Sequence, residues 1–225
     1  ANANLTEAYL DNTVLERVDF SNANLTGADL GSANLKDANF KNAVISNAYF
    51  WGAKNFIAEQ LYSTKNYKDK DLSGVGLSNI DLSDWNFSDI NLTNAIFSFS
   101  DMLNTNFENA IITGAYFIRV TKENFTANQL YSTASYKNKD LTGINLSEND
   151  LTGWDFSQQN LTNADFSWTT LTNVIFTSAI LSSTNFTGAE ITGADFSDTV
   201  AKGLTKEQLY STKSYEDKDL SEINL

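Results

Sequence analysis

A five-residue unit repeats without a gap through Ala23-Asn24-Leu25-Thr26-Gly27-Ala28-Asp29-Leu30-Gly31-Ser32-Ala33-Asn34-Leu35. Each unit reads small residue, Asn or Asp, Leu or Phe, then two polar or small residues. From Leu5 to Phe50 a large apolar residue stands at every fifth position, through Leu10, Leu15, Phe20, Leu25, Leu30, Leu35, Phe40 and Ile45. Two positions before most of them stands Ala, as in Ala23, Ala28, Ala33, Ala38, Ala43 and Ala48. A period of five fits neither a helix, with about 3.6 residues per turn, nor a flat strand, with a period of about 2. A helix would spread these side chains all round its surface. A chain that turns a corner every five residues points each of them inward, with the small residue beside it. One such coil cannot bury a core alone, so successive coils must stack.

These units resemble the pentapeptide-repeat family, whose motif is A-[DN]-[LF]-x-x. Ala23-Asn24-Leu25-Thr26-Gly27, Ala28-Asp29-Leu30-Gly31-Ser32 and Ala194-Asp195-Phe196-Ser197-Asp198 carry it most closely, and about three quarters of the chain is covered. The resemblance implies an all-β fold, a right-handed quadrilateral parallel β-helix with four repeats per coil. Residues one coil apart then stack, Asn4 near Asn24, Asp71 near Asn91 and Asn145 near Asp165, with Asp81 and Asp101 as the clearest acidic pair.

The register breaks three times, so the single solenoid domain over 1–225 is divided into repeat blocks 1–53, 71–118, 140–198 and 219–225. Its core is expected to include Leu25, Leu30, Leu35, Phe40, Leu82, Phe87, Leu92, Phe97, Leu151, Phe156, Leu161 and Phe166. The breaks, about 54–70, 119–139 and 199–218, are themselves repeats. Gln60-Leu61-Tyr62-Ser63-Thr64 recurs from Gln129 and again from Gln208, and each time a second Tyr leads into Lys-Asp-Leu. Each break is expected to hold a short helix followed by an extended return. Thr126 with Gln129, and Thr205 with Gln208, have capping-box spacing; Ile57 replaces the Thr in the first copy, which weakens that start. The tyrosine pairs Tyr62/Tyr67, Tyr131/Tyr136 and Tyr210/Tyr215 are expected to pin each excursion to the rod. The coil after a break carries Val75, Ile80, Trp85 and Ile90, or Ile144, Asn149, Trp154 and Gln159, where Ala is usual. That predicts a locally wider coil, with Trp85 and Trp154 packed beneath the preceding excursion. Stacking block on block buries two edges, so one continuous rod is expected.

Composition removes most chemistries. Among 225 residues there is no His, Cys or Pro, and the net charge is −13. Without His there is no Ser-His-Asp arrangement, and without His or Cys no conventional zinc site. No carboxylate pair stands out among 28 acids, and the only arginines are Arg17 and Arg119. The Asn and Asp residues before each central residue suit corners, where they hydrogen-bond their own backbone; they have no calcium-loop spacing. No catalytic, cofactor or metal-binding residue is therefore assigned, and no cofactor is expected. The acidity disfavours nucleic acid phosphates and anionic membranes and permits a basic protein partner. No apolar run approaches the roughly 20 residues of a membrane span.

The candidate interaction surface is Trp51, Phe99 and Trp168, which with Tyr49 lie outside the core register, together with Asp81 and Asp101. The excursions are expected to fold back over the aromatics. The chain begins at Ala1 and stops at Leu225 inside a repeat, the pattern of a fragment with open end coils suited to end-to-end self-association. These features point to a non-enzymatic, rod-like structural or protein-interaction module. Its protein partner is unidentified, no direct nucleic acid or membrane binding is expected, and its long modular duplication suits an extracellular or cell-surface protein. The family resemblance supplies an alternative, since some members mimic DNA and act on gyrase; that needs a continuous acidic stripe. A third reading, a carbohydrate-binding or lyase-like surface, needs aromatics and carboxylates converging on one groove.

Overall fold

Every side of the solenoid is made by the same local chemistry. In a computed structural model, which describes residues 2–225, the residue two after each central Leu or Phe has positive φ, as at Asn12 (56°), Asn42 (57°) and Asn173 (56°). Only Gly, Asn and Asp enter that left-handed region readily, which explains their abundance there. The Asn or Asp before the central residue accepts the N–H two residues on: Gly31 N donates to Asp29 at 2.9 Å and Thr26 N to Asn24 at 3.1 Å. These carboxylates and amides are corner-makers first.

Between corners the backbone is extended and bonds to the coils on either side. Asn24 N donates to Ala3 O at 2.9 Å, and Leu25 N donates to Val44 O at 2.7 Å. The resulting parallel bridges join residues one coil apart, Asn4 to Asn24 to Val44, Asp71 to Asn91 to Ile111, and Asn145 to Asp165 to Asn185. The sides are too short to form longer strands, so each contributes a single bridge. The ladder crosses every excursion, through Tyr49 with Gly76, Tyr116 with Asn145 and Asp195 with Asn224.

All twelve expected core residues are buried. Phenylalanines stack one coil apart, Phe87 on Phe107 at 5.6 Å and Phe156 on Phe176 at 5.6 Å, and meet their neighbours on adjacent sides edge-on, as in Phe97 with Phe107 at 5.6 Å. Ala28, Ala33 and Ala43 lie fully buried beside them. Leu5, Leu10 and Leu15, in the first coil, are only partly covered.

Each excursion holds two short helices: α1 (Ala58–Ser63) and α2 (Lys65–Lys68), α3 (Ala127–Ser132) and α4 (Ala134–Lys137), α5 (Lys206–Tyr210) and α6 (Lys213–Glu216). The extended return expected after the first helix is instead a second helical turn. The cause is Thr64, Thr133 and Thr212, each with extended backbone and a side chain that accepts the N–H of Tyr67, Tyr136 or Tyr215. Capping boxes form at Thr126 and Thr205. Ile57 offers no acceptor, so α1 keeps only the reciprocal half, Ile57 N donating to Gln60 Oε1 at 2.9 Å.

The recurring Gln and Tyr fasten these helices to the rod. Gln129 Nε2 donates to the carbonyls of Met102 (2.8 Å) and Thr105 (2.9 Å), and Gln60 and Gln208 make the equivalent pairs. Tyr131 and Tyr136 grip one residue of the next coil: Asp155 N donates to Tyr131 Oη at 2.6 Å, and Tyr136 Oη donates to Asp155 O at 2.8 Å. Tyr62 and Tyr67 grip Asn86 in the same way. Trp85 is buried against Phe56 of the preceding excursion (5.9 Å), and Trp154 packs on Phe125 at 6.0 Å.

The clasp gives a pH prediction. Burial pushes the Tyr67 hydroxyl up to about 12, and burial with the nearby Asp155 charge raises Tyr136 as well. Unfolded tyrosine ionises near pH ~10. Above that value the unfolded chain releases protons that the folded chain keeps, so stability is full below about pH 10 and falls as pH rises through the folded values. The urea midpoint is expected to drop from about pH 10 upward, and to drop less in the double variant Tyr67→Phe, Tyr136→Phe. An equal drop in both proteins would remove the tyrosines as the cause.

Candidate functional site: an aromatic edge

Following the ladder coil by coil shows where the off-register aromatics go. Ser32 N donates to Trp51 O, Gly52 N to Ser78 O, Asn79 N to Ser98 O, Phe99 N to Ile118 O, Arg119 N to Ser147 O, Glu148 N to Ser167 O and Trp168 N to Thr187 O. Trp51, Phe99 and Trp168 therefore stand along one edge of the solenoid, although they come from three repeat blocks. They are 54%, 43% and 65% exposed, so the excursions do not cover them as expected. The helices leave the rod on other sides, above the coils they clasp.

The side leading into this edge carries further aromatics. Its bridges run Tyr9, Asp29, Tyr49, Gly76, Ile96, Tyr116, Asn145 and Asp165, and Tyr9, Tyr49 and Tyr116 are exposed. Tyr9 and Tyr116 were not singled out from sequence. They occupy the corner position of Asn or Asp, and that substitution was the available signal.

Asp81 and Asp101 lie round the corner, Asp101 two residues after Phe99. They are bridged to each other. Asp81 accepts Ser83 N at 3.0 Å, and hydrogen bonds from the Ser83 side chain and backbone hold its carboxyl below the usual range. Asp101 accepts from Leu103 N (3.0 Å) and Asn124 Nδ2 (2.9 Å). Among the described residues this is the one bridged pair with two acids; elsewhere acids alternate with neutral residues, as in Asp155, Ile175 and Asp195.

Two shallow clefts open on the aromatic edge. One is bordered by Asp11, Asn12, Asp29, Ser32, Tyr49 and Trp51, the other by Arg119, Lys122, Glu148 and Trp168. The Arg119 guanidinium lies 5.8 Å from the Phe99 ring centre and 3.9 Å from Glu148, so it ties Phe99 to the second cleft. Among the described residues no three of His, Cys, Asp and Glu cluster closely enough to hold a metal ion, and no helix is long and apolar enough to cross a membrane.

Gly188 supports the exposed Trp168 ring. A Cβ there would stand 2.4 Å from Trp168 Cε3, and its φ of +69° disfavours any side chain. Gly188→Ala is expected to cost about 1–2 kcal/mol from the left-handed backbone alone. It should also lift the Trp168 ring and change its fluorescence; unchanged Trp168 emission in the variant would contradict this packing.

A family model for pentapeptide repeats, in 8 copies, matches residues 1–37, 23–54, 71–109, 86–121, 140–177 and 176–203. Among solved structures, HetL is a pentapeptide repeat protein involved in heterocyst differentiation regulation from the cyanobacterium Nostoc sp. It is 21% identical over 100% of this chain and 87% of its own, with a TM-score of 0.34. QnrB1, a plasmid-mediated fluoroquinolone resistance protein, is 15% identical over 100% of this chain and 87% of its own, with a TM-score of 0.32. A pentapeptide repeat protein from the Arabidopsis thaliana thylakoid lumen is 34% identical over 57% of this chain and 71% of its own, with a TM-score of 0.19. No curated protein sequence matches the chain.

Proposed function

The chain belongs to the pentapeptide-repeat family, and from that premise we propose that it is a non-enzymatic, rod-like interaction module, built as the family's right-handed, four-sided β-helix over 1–225. One observation carries the reading: Trp51, Phe99 and Trp168 come from three repeat blocks, yet share one exposed edge. Exposed aromatics at a common surface are typical binding anchors. Coils held by a continuous backbone ladder give that surface fixed spacing, which suits recognition without moving parts. Its setting, on this reading, is the cell surface or the extracellular space.

The DNA-mimic alternative requires acids to follow one another along a face. The alternation of acids with neutral residues, and the placing of aromatics along the exposed edge, support the interaction module instead.

The test is site-specific photocrosslinking in extracts of the source cells, with the label at Trp168 or at Ile111, an exposed residue on another side. The reading expects adducts from position 168 and not from 111. Equal labelling from both, or none from 168, would overturn it. In parallel, the chain at large excess should leave gyrase supercoiling unchanged with and without a quinolone. Inhibition that weakens as salt rises would favour the DNA mimic.

A further inference from the structure

The aromatic edge has a property beyond exposure, because two of its rings rest over glycines. Tyr49 runs along the backbone of Gly76, where an added Cβ would stand 2.8 Å from Tyr49 Cδ1. Trp168 covers Gly188 in the same way, with three ring atoms within 2.8 Å of an added Cβ. A side chain at either glycine would tilt the ring. Each ring is thus held against backbone on one side and remains open to solvent on the other, Tyr49 44% and Trp168 65% exposed. Around them lie hydrogen-bonding groups rather than aliphatic surface, Asn12 and Asp29 beside Tyr49 and Trp51, and Glu148 and Lys122 beside Trp168.

We infer that this edge binds a neutral, extended, β-linked polysaccharide lying parallel to the solenoid axis. The inference rests on the reading of the edge as the interaction surface and names the partner that the chemistry fits. A β-linked sugar ring presents axial C–H groups on its faces and hydroxyls round its rim. The C–H groups carry slight positive charge and are drawn to the negative face of an aromatic ring. The rim hydroxyls need donors and acceptors of the kind Asn12, Asp29 and Glu148 offer.

The spacing agrees. Coils advance by about 4.8 Å, so Tyr116 lies roughly 14 Å and Trp168 roughly 24 Å along the axis from Tyr49 and Trp51. Rings spread over that length are engaged together only by an extended chain that lies along the axis.

Two other partner classes fit less well. A polyanion, whether nucleic acid or uronate-rich glycan, meets a chain of net charge −13 and, beside Tyr49 and Trp51, the carboxylates Asp11 and Asp29, with the only edge cations among the described residues, Arg119 and Lys122, confined to the cleft at Trp168 and shared there with Glu148. A protein interface centres on a contiguous, desolvated apolar patch, whereas the exposed polar residues Asn79, Arg119 and Glu148 interleave with the aromatics along this edge.

The experiment uses the full chain. It is mixed with insoluble cellulose, chitin and β-mannan, and with polygalacturonate as the charged comparison, its depletion from solution is measured, and its tryptophan emission is titrated with cellohexaose and chitohexaose. Binding to at least one of the three polymers is expected. Trp168→Ala should weaken it at least tenfold, Gly188→Ala should weaken it with Trp168 still present, and Ile111→Ala should leave it unchanged. Circular dichroism establishes that each variant keeps its fold. Three results would overturn the proposal: no binding to any of the polymers, preference for polygalacturonate, or equal binding by Trp168→Ala. If glycans fail while the label at position 168 still captures a partner, the glycan assignment falls and the interaction module stands. If the label also captures nothing, both fall.

Discussion

Phe166→Ala is expected to lower unfolding free energy by about 3–5 kcal/mol. Phe166 is fully buried. It stacks on Phe186 at 5.7 Å and meets Phe156 and Phe176 edge-on at 5.3 and 5.6 Å. The cost is large because the hole cannot close. Asp165 is bridged to Asn145 on one side and Asn185 on the other, and Phe166 N donates to Asn185 O at 2.8 Å. Those bonds fix the coil spacing, so no neighbour can move in without breaking the ladder. Urea unfolding followed by circular dichroism measures it. A loss under about 1 kcal/mol would mean that the coils collapse inward, against the rigid ladder described above.

Gln129→Glu is expected to cost about 3 kcal/mol or more, because the amide donates twice to buried backbone. Its Nε2 reaches Met102 O and Thr105 O, while its Oε1 accepts Thr126 N at 2.8 Å. Glu keeps the size and the cap acceptor. It loses both donors and sets a carboxylate against two carbonyl oxygens, a repulsion that burial strengthens. The excursion carrying α3 and α4 should then open locally before the rod unfolds. Hydrogen exchange over 119–139 is expected to rise in Gln129→Glu, with little change over 23–50. Uniform change along the chain, or none, would show that the amide is not the fastener.

The repeat blocks were legible because one period fixes both the inward position and the corner. Leu25, Phe87 and Phe156 could be placed in the core by counting in fives, and Asn24 and Asp29 could be placed at corners by their turn chemistry. The first helix of each excursion was legible through Thr126 and Gln129. The second helix was missed although Thr133 stands three residues before Tyr136, the same capping geometry in a shorter span.

The aromatic edge was half legible. Trp51, Phe99 and Trp168 stood out as large residues at outward positions. Their alignment was hidden, because register across a break depends on how many residues the excursion adds to its coil. Tyr49 pairs with Gly76 across the first, but Tyr116 pairs with Asn145 across the second, and these separations differ. No local pattern encodes that difference. It arises where Thr121–Glu123 adds a short helical turn that the first excursion lacks. Asp81 and Asp101, twenty residues apart inside one block, needed no such register and were paired by the coil count alone.

The shared edge depends on coils that continue through the excursions, and a distance measurement tests that most directly. The chain has no Cys, so nitroxides at Asn12→Cys and Glu148→Cys label it uniquely. These positions stand on the same edge, with Ser32, Gly52, Asn79, Phe99 and Arg119 between them across two excursions. Six coil steps of about 4.8 Å give about 29 Å. Double electron–electron resonance should show one narrow distribution near 30 Å, allowing for label length. A broad distribution, or a narrow one far from that value, would mean that the blocks are separate stacks and that the aromatic edge is not one surface.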